Sequence, residues 1–408
     1  MRFFRFCIMF VFCLIPLFSC RSKGDADTSL ARDVFPAEER KAEGFVSAMR
    51  LEEKCSQLFM VALNGTTSLS DATAQVLKDC APGAVLFFKY NISDDLSETF
   101  RLTEALQDIA RESGAGIPFF IAVDHEGGLV FRFKSGVTRL PAASQVAKSA
   151  NVEKAKALYA VAAKELRSLG FNMNLAPVLE PLSNDNQGFL GSRSFGRDAD
   201  VVAAFGTACI EAMQENGVCA VAKHFPANGN TDPHESVPSL PYTRSDLTAK
   251  HIGPFKAAVE HRVAAVMVSH VAFPEIDADY PATLSKAIVG GLLKDRLGYK
   301  GIVLTDDLRM KALTETYEPA ESAVLALKAG ADMVMYTGGD FQAVRDAVVE
   351  AVREGSLPES RVDDAVRRII ETKIRFKLWE DTAPERREEL FGTLAGLVQE
   401  GEKILSTF

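Results

Sequence analysis

The stretch "VCAVAKHFPANGNTDPH", residues 218–234, begins as a short apolar run, passes into Lys223 and His224, and breaks into a Pro-, Gly- and Asn-containing loop that carries Asp232 and His234. An apolar run without polar alternation describes a strand buried on both faces, as in a parallel sheet covered by helices. Two polar residues at the end of such a strand, followed by a His-bearing loop, are an odd way to build a core. They direct attention to what the loop works on.

The same pattern recurs along the chain. Apolar, β-branched or aromatic runs lie at 57–63, 83–88, 118–123, 171–178, 218–222, 264–269, 301–305 and 331–336. Between them stand stretches with helical periodicity, such as "VEKAKALYAVAAKELRSLG" and "EPAESAVLALKAG", the second closing on a glycine in C-cap position. Eight strand–helix units predict an α/β fold, a (β/α)8 barrel of the TIM type forming a single catalytic domain over residues 35–380. In such barrels the working residues stand at the C-terminal ends of the strands. Polar residues follow the runs at those ends: Asp124, His125 and Glu126 after the third, Glu180 after the fourth, Lys223 and His224 after the fifth, His270 after the sixth, and Asp306 and Asp307 after the seventh. Any one of them reads equally well as a strand end or a helix cap. Five strands ending this way point to a sugar-sized polar pocket at the barrel mouth.

Composition bounds the partners. With 408 residues, 47% hydrophobic and 25% charged, the chain is ordinary globular material. A net charge of −9 does not favour nucleic acid. There is no Cys-x-x-Cys pair, and Cys55, Cys80, Cys209 and Cys219 read as buried thiols, with a disulfide possible in an oxidising compartment. Residues 1–20, "MRFFRFCIMFVFCLIPLFSC", have two arginines, an apolar run too short for a stable membrane span, and a small residue before Cys20. They read as an export signal. The ending Leu17-Phe18-Ser19-Cys20 resembles the lipobox of bacterial lipoproteins, in which the cysteine is lipidated; a plain secretory signal is the alternative. Residues 21–34 read as a polar tether and residues 381–408 as a C-terminal helical tail.

Six motifs in order, "VDHEGGLVFRF", "NLAPVLE", "SRSFG", "KHFPANGNTDPH", "HVAFPEIDADYPATLS" and "GIVLTDDLRM", resemble family 3 glycoside hydrolases of the single-domain β-N-acetylhexosaminidase branch, over about residues 50–380. The two-domain β-glucosidases of that family carry a second domain after the barrel, for which too few residues follow Trp379. The branch's usual KHFPGHGD-T form is altered here. Ala227 and Asn228 replace Gly and His, Asn230 replaces Asp, and the loop is shorter before Asp232, while the Asp-x-His spacing is kept.

The resemblance implies roles. Asp306 matches the nucleophile, and His234 the acid/base, oriented by Asp232; Glu235 in the same loop is the rival acid. Asp124 matches a residue that binds sugar hydroxyls, and Arg132, Arg193, Lys223 and His224 match those lining an N-acetylglucosamine subsite. Asp307 reads as an N-cap for the helix after it, and the role of Glu180 is left open. The glycines after Glu126 permit close backbone approach; a phosphate-cradling loop is the competing reading, but no Lys-Ser/Thr follows. The expectation is a retaining exo-β-N-acetylglucosaminidase acting on cell-wall fragments, with no metal or organic cofactor, monomeric, and held to a membrane through Cys20. A non-catalytic glycan-binding surface lipoprotein and a phosphorolytic enzyme of the same family are the alternatives.

Overall fold

The structure is a computed structural model that describes residues 29–63, 67–380 and 384–408. The expected signal segment and Cys20 lie outside the described residues. Residues Glu38–Phe408 form one compact unit, and the residues before Glu38 belong to a separate one. A helix, Ser29–Ala48, begins inside the segment expected to be a tether. Among the described residues no helix is long and apolar enough to cross a membrane.

Ten strands are present among the described residues: β1 Phe59–Ala62, β2 Ala84–Phe87, β3 Phe120–Val123, β4 His125–Gly127, β5 Val130–Phe131, β6 Met173–Asn174, β7 Cys219–Phe225, β8 Ala265–Val268, β9 Ile302–Asp307 and β10 Met333–Tyr336. Eight of them close into a parallel barrel in the order β1-β10-β9-β8-β7-β6-β3-β2. Each falls within or overlaps one of the eight apolar runs. The strands of the first three runs are fully buried or nearly so, as expected where side chains fill the barrel on one face and meet helices on the other.

Three departures from the apolar runs bear on the site. The fourth strand is only two residues long: Pro177 has no N–H for the ladder, and the buried side chains of Asn172 and Asn174 take over backbone pairing with Ile121 and His125. β7 and β9 instead run on past their apolar cores, so that Lys223, His224, Asp306 and Asp307 lie within strands rather than in the loops after them. The β7–β8 register slips between Ala222 and Phe225, where the Lys223–His224 peptide is cis.

Strands β4 and β5 make an antiparallel hairpin on the mouth, outside the barrel sheet. Gly127 and Gly128 turn it with φ of 96° and 57°, and a Cβ on Gly127 would stand 2.3 Å from the Pro141 carbonyl. Those glycines serve a tight turn against backbone, which accounts for "EGGLVFR" without a phosphate.

Helices on the outside start where short polar side chains cap them. Asn151 accepts from Lys154, Asp198 from Asp200 and Val201, and Asp340 from Ala343. The helix Pro319–Ala329 has proline in its first turn and stops at Gly330. The core is aromatic, with Phe59, Phe87, Phe119, Phe120, Phe171 and Phe225 fully buried, and Phe87 meets Phe171 edge-on at 5.1 Å. Truncating one of these to alanine costs about 3–5 kcal/mol. Away from the mouth, Asp332, just before β10, holds Lys294, Arg361 and the Val303 amide, a network with a structural rather than a chemical role. The final helix, Leu394–Leu405, packs on the helix Val152–Ser168. Cys55, Cys80, Cys209 and Cys219 are all free and buried, so the disulfide alternative is not realised; burial pushes the Cys55 thiol up to about 12.

Candidate active site

The C-terminal ends of β3 and β7 and the β4–β5 hairpin bring the charged residues together. Asp124, next after β3, accepts from Lys223 Nζ at 2.8 Å through one carboxylate oxygen and from Arg132 at 2.9 Å through the other. Arg132 gets there because β5 returns the hairpin beside Asp124. Glu126, on β4, accepts two parallel bonds from Arg193 at 2.8 Å and stands 2.7 Å from Lys223 Nζ. Three cations thus surround two carboxylates in a nearly buried cluster, with the Lys223 side chain only 3% exposed.

Burial alone would raise both carboxyl pKa values. Lys223 and Arg132 outweigh it at Asp124 and hold that group far below the usual carboxylate range; Lys223 and Arg193 hold Glu126 at about 2. Burial likewise opposes the charge on Lys223, and Asp124 and Glu126 overcome it and raise its pKa. Asp124, Glu126 and Lys223 are therefore charged at neutral pH, and with the two guanidinium groups they make a fixed field of donors and acceptors suited to sugar hydroxyls.

A second group centres on Glu180, fully buried after β6. It accepts from the His224 backbone amide at 3.2 Å and from His224 Nδ1 at 2.8 Å. It also accepts from the Asn228 amide and from Asn228 Nδ2 at 3.0 Å. Burial pushes its pKa up, but these bonds, His224 first, bring it below the usual value. The carboxylate accepts the hydrogen bond from His224 Nδ1 and so sets the orientation of the ring. It also anchors, through Asn228, the root of the loop that follows β7.

That loop carries Asp232 and His234. Asp232 Oδ1 accepts from the His234 amide at 2.9 Å and from His234 Nδ1 at 2.8 Å. The His234 side chain is 68% exposed and the Asp232 side chain 42%. Burial raises the Asp232 carboxyl, whereas the His234 amide, the imidazole and Arg193 together lower it. Glu235 is exposed beside them. The Pro233 carbonyl accepts from the Ala312 amide at 3.0 Å, tying the loop to the segment that follows β9.

Asp306 is half-buried on β9, its Oδ1 accepting from the Asp307 amide at 2.9 Å. Asp307 does not cap the next helix as expected. That helix, Lys311–Thr314, begins only after the turn Leu308–Met310 and has Met310 at its N-cap, so Asp307 is one turn too early. Its carboxylate instead accepts from the amides of Arg309 at 3.1 Å and Thr337 at 3.2 Å and from the Thr337 hydroxyl, bracing β9 against the end of β10. Fully buried His270, after β8, props the same place, with Nε2 donating to the Asp307 carbonyl at 3.0 Å and Nδ1 2.7 Å from the Thr283 hydroxyl. Burial lowers its pKa against the pull of Asp306.

Asp124, Arg132, Arg193 and Lys223 thus share one cluster, His224 stands beside it on β7, and the Asp232–His234 pair reaches it through the charge of Arg193. Glu126, Asn228 and His270 are positioned as tightly as these and were not singled out from sequence. Each had been visible only as a polar residue at a strand end or in a loop. Among the described residues no group of three or more His, Cys, Asp or Glu side chains is spaced to hold a metal ion.

The pattern of the glycosyl hydrolase family 3 N-terminal domain matches residues 50–372. The chain belongs to glycoside hydrolase family 3. This family 3 hydrolase is 35% identical to a β-hexosaminidase of Thioalkalivibrio sulfidiphilus over 309 residues, 74% of this chain and 86% of the relative. It is 32% identical to the β-hexosaminidase LpqI of Mycobacterium tuberculosis over 340 residues, 81% of this chain and 84% of that protein. Among solved structures, a family 3 β-N-acetylglucosaminidase from a Paenibacillus species superposes with a TM-score of 0.77 at 34% identity, covering 86% of this chain and 69% of that one. The (β/α)8 barrel expected from the strand pattern is the fold observed, and the resemblance to family 3 is shown.

Proposed function

We propose that this family 3 enzyme is a retaining, exo-acting β-N-acetylglucosaminidase that releases terminal β-linked N-acetylglucosamine, with cell-wall fragments as its source of substrate. The observation that carries the reading is the Asp232–His234 pair, fixed by Pro233 to the segment that follows Asp306. The names of the relatives and of the Paenibacillus structure support the sugar.

In this reading Asp306 attacks the anomeric carbon, and the leaving oxygen takes a proton from His234 as the C–O bond breaks, leaving a covalent glycosyl-enzyme. His234 Nδ1 stays bonded to Asp232, which holds the ring's orientation, so Nε2 is the atom that gives the proton. Neutral His234 then takes a proton from water, which displaces Asp306 and yields sugar with the anomeric configuration retained. The same imidazole serves both halves, as donor and then as acceptor, and such proton transfer is worth roughly 10²–10⁴ in rate. Asp124, Arg132, Arg193, Lys223 and His224 hold the ring hydroxyls and the acetamido group. Export and attachment through lipidated Cys20 complete the proposal; its support is the pattern of residues 1–20.

The test is turnover of a chromogenic β-N-acetylglucosaminide beside the matching β-glucoside, with and without phosphate. Activity on the first alone, releasing free N-acetylglucosamine in both buffers, is the expected result. Sugar 1-phosphate as the main product would overturn hydrolysis, and turnover of neither substrate would leave a glycan-binding protein.

A further inference from the structure

The loop that carries Asp232 and His234 is tied down at its root by Asn228 on Glu180 and at its tip by Pro233 on Ala312. Between these points lies Asn230, two residues before Asp232. Its side chain reaches out of the loop to the segment after β6: Nδ2 donates to the Asn184 carbonyl at 2.7 Å, and Oδ1 accepts from the Gly188 amide at 2.8 Å. A Cβ on Gly188 would stand 2.9 Å from Asn230 Oδ1, so the glycine is what allows this approach. The same segment is held from the far side of the loop, where the Tyr242 hydroxyl donates to Asp185.

We propose that Asn230 is a positioning residue for proton transfer, a latch that sets where His234 stands over the pocket; the inference rests on the reading of His234 as proton donor. The chemistry of the contact selects an amide. One end must donate to a carbonyl and the other must accept from an N–H, which a carboxamide of this length does and a carboxylate cannot. An aspartate there would keep the Gly188 bond but present a lone pair to the Asn184 carbonyl. The latch is exposed and makes no contact with the Asp124–Glu126–Lys223 cluster, so it bears on the exposed His234 rather than on the sugar subsite. Proton transfer needs the donor within about 2.6–3.2 Å of the leaving oxygen, and a misplacement near 1 Å costs on the order of a hundredfold.

The experiment compares Asn230→Asp, Asn230→Ala and His234→Ala with wild type on two substrates, a β-N-acetylglucosaminide with a highly activated aryl leaving group and one with an alkyl leaving group, alongside melting temperatures. Both Asn230 variants are expected to lose roughly tenfold to a hundredfold in kcat/KM on the alkyl glycoside. On the activated one they should lose no more than about twofold, with little change in melting temperature. Equal losses on the two substrates would make Asn230 a general structural residue and overturn the latch, as would wild-type rates on both. If His234→Ala shows the leaving-group-dependent defect and the Asn230 variants do not, the latch alone fails. If His234→Ala shows none, the proton-donor reading fails and takes the latch with it.

Discussion

The carbonyl of Pro233 accepts a hydrogen bond from the amide of Ala312 at 3.0 Å, and through it the loop after the fifth barrel strand is fastened to the short helix Lys311–Thr314 that follows the seventh. Pro233 lies between Asp232 and His234, and Ala312 lies six residues past Asp306 in the segment that β9 launches. In the proposed mechanism, the residue that attacks carbon and the residue that protonates oxygen therefore sit on segments that share a backbone contact. Backbone bonds of this kind survive side-chain substitution, so variants at the neighbouring positions report chemistry more than collapse.

His234→Ala should cripple glycosides with poor leaving groups, by roughly 10²–10⁴ in kcat/KM, while sparing those with activated aryl groups, whose oxygen departs without much protonation. Asp232→Asn should give a weaker form of the same defect, since the imidazole remains but loses its orienting carboxylate. Glu235→Gln should change little, its side chain being exposed. Kinetics on a series of leaving groups check all three, and a selective defect in Glu235→Gln alone would move the role to that carboxylate.

The Glu126 carboxyl predicts a pH dependence of stability. Its pKa is lowered on folding from about 4.5 to about 2, so its contribution is fully present above pH 4.5 and is lost as pH falls toward 2. That contribution is about 3 kcal/mol, and Asp124 adds to it in the same direction. Glu126→Gln should lower the melting temperature at pH 7 and flatten its decline below pH 4.5. Parallel acid profiles for variant and wild type would contradict this.

Glu180→Gln replaces two acceptor oxygens, on which four donors converge, with one oxygen and an NH2 group. At least one buried donor then faces another, at a cost of about 1–3 kcal/mol. Because the same carboxylate orients His224 and roots the loop at Asn228, the variant should raise KM and lower kcat together, measured at a temperature where it remains folded.

What the sequence could disclose followed from locality. Apolar runs with polar ends announced the barrel and which end of it works, because strand burial and strand-end chemistry are written in consecutive residues. The lengths of β6, β7 and β9 were not so written, since they depend on where Pro177 interrupts the ladder and on polar residues that the neighbouring strands accept. Glu126 went unassigned because its partner Arg193 is 67 residues away, and nothing near Glu126 in the chain records that pairing. Asp307 was misread for the opposite reason: a nearby helix offered a local partner, and the real ones include Thr337 just past the next strand. Asn230 stood out only as a departure from the family form, and its amide acquires meaning from two backbone groups of another loop.

Cys20→Ala should move the protein from the membrane fraction to the soluble fraction of the cells that make it, if a lipid on that cysteine is its anchor. Fractionation followed by detection of the chain checks this, and persistent tight membrane association would show another means of attachment.

The most direct measurement is mass analysis of peptides from enzyme incubated with a fluorinated N-acetylglucosamine donor that forms the glycosyl-enzyme quickly and releases it slowly. The expected result is a single sugar adduct on the peptide that carries Asp306, absent from Asp306→Asn, which should keep the wild-type melting temperature while losing turnover by orders of magnitude. An adduct on another carboxylate, or turnover of the donor with no adduct and with inverted product, would contradict a retaining mechanism on Asp306.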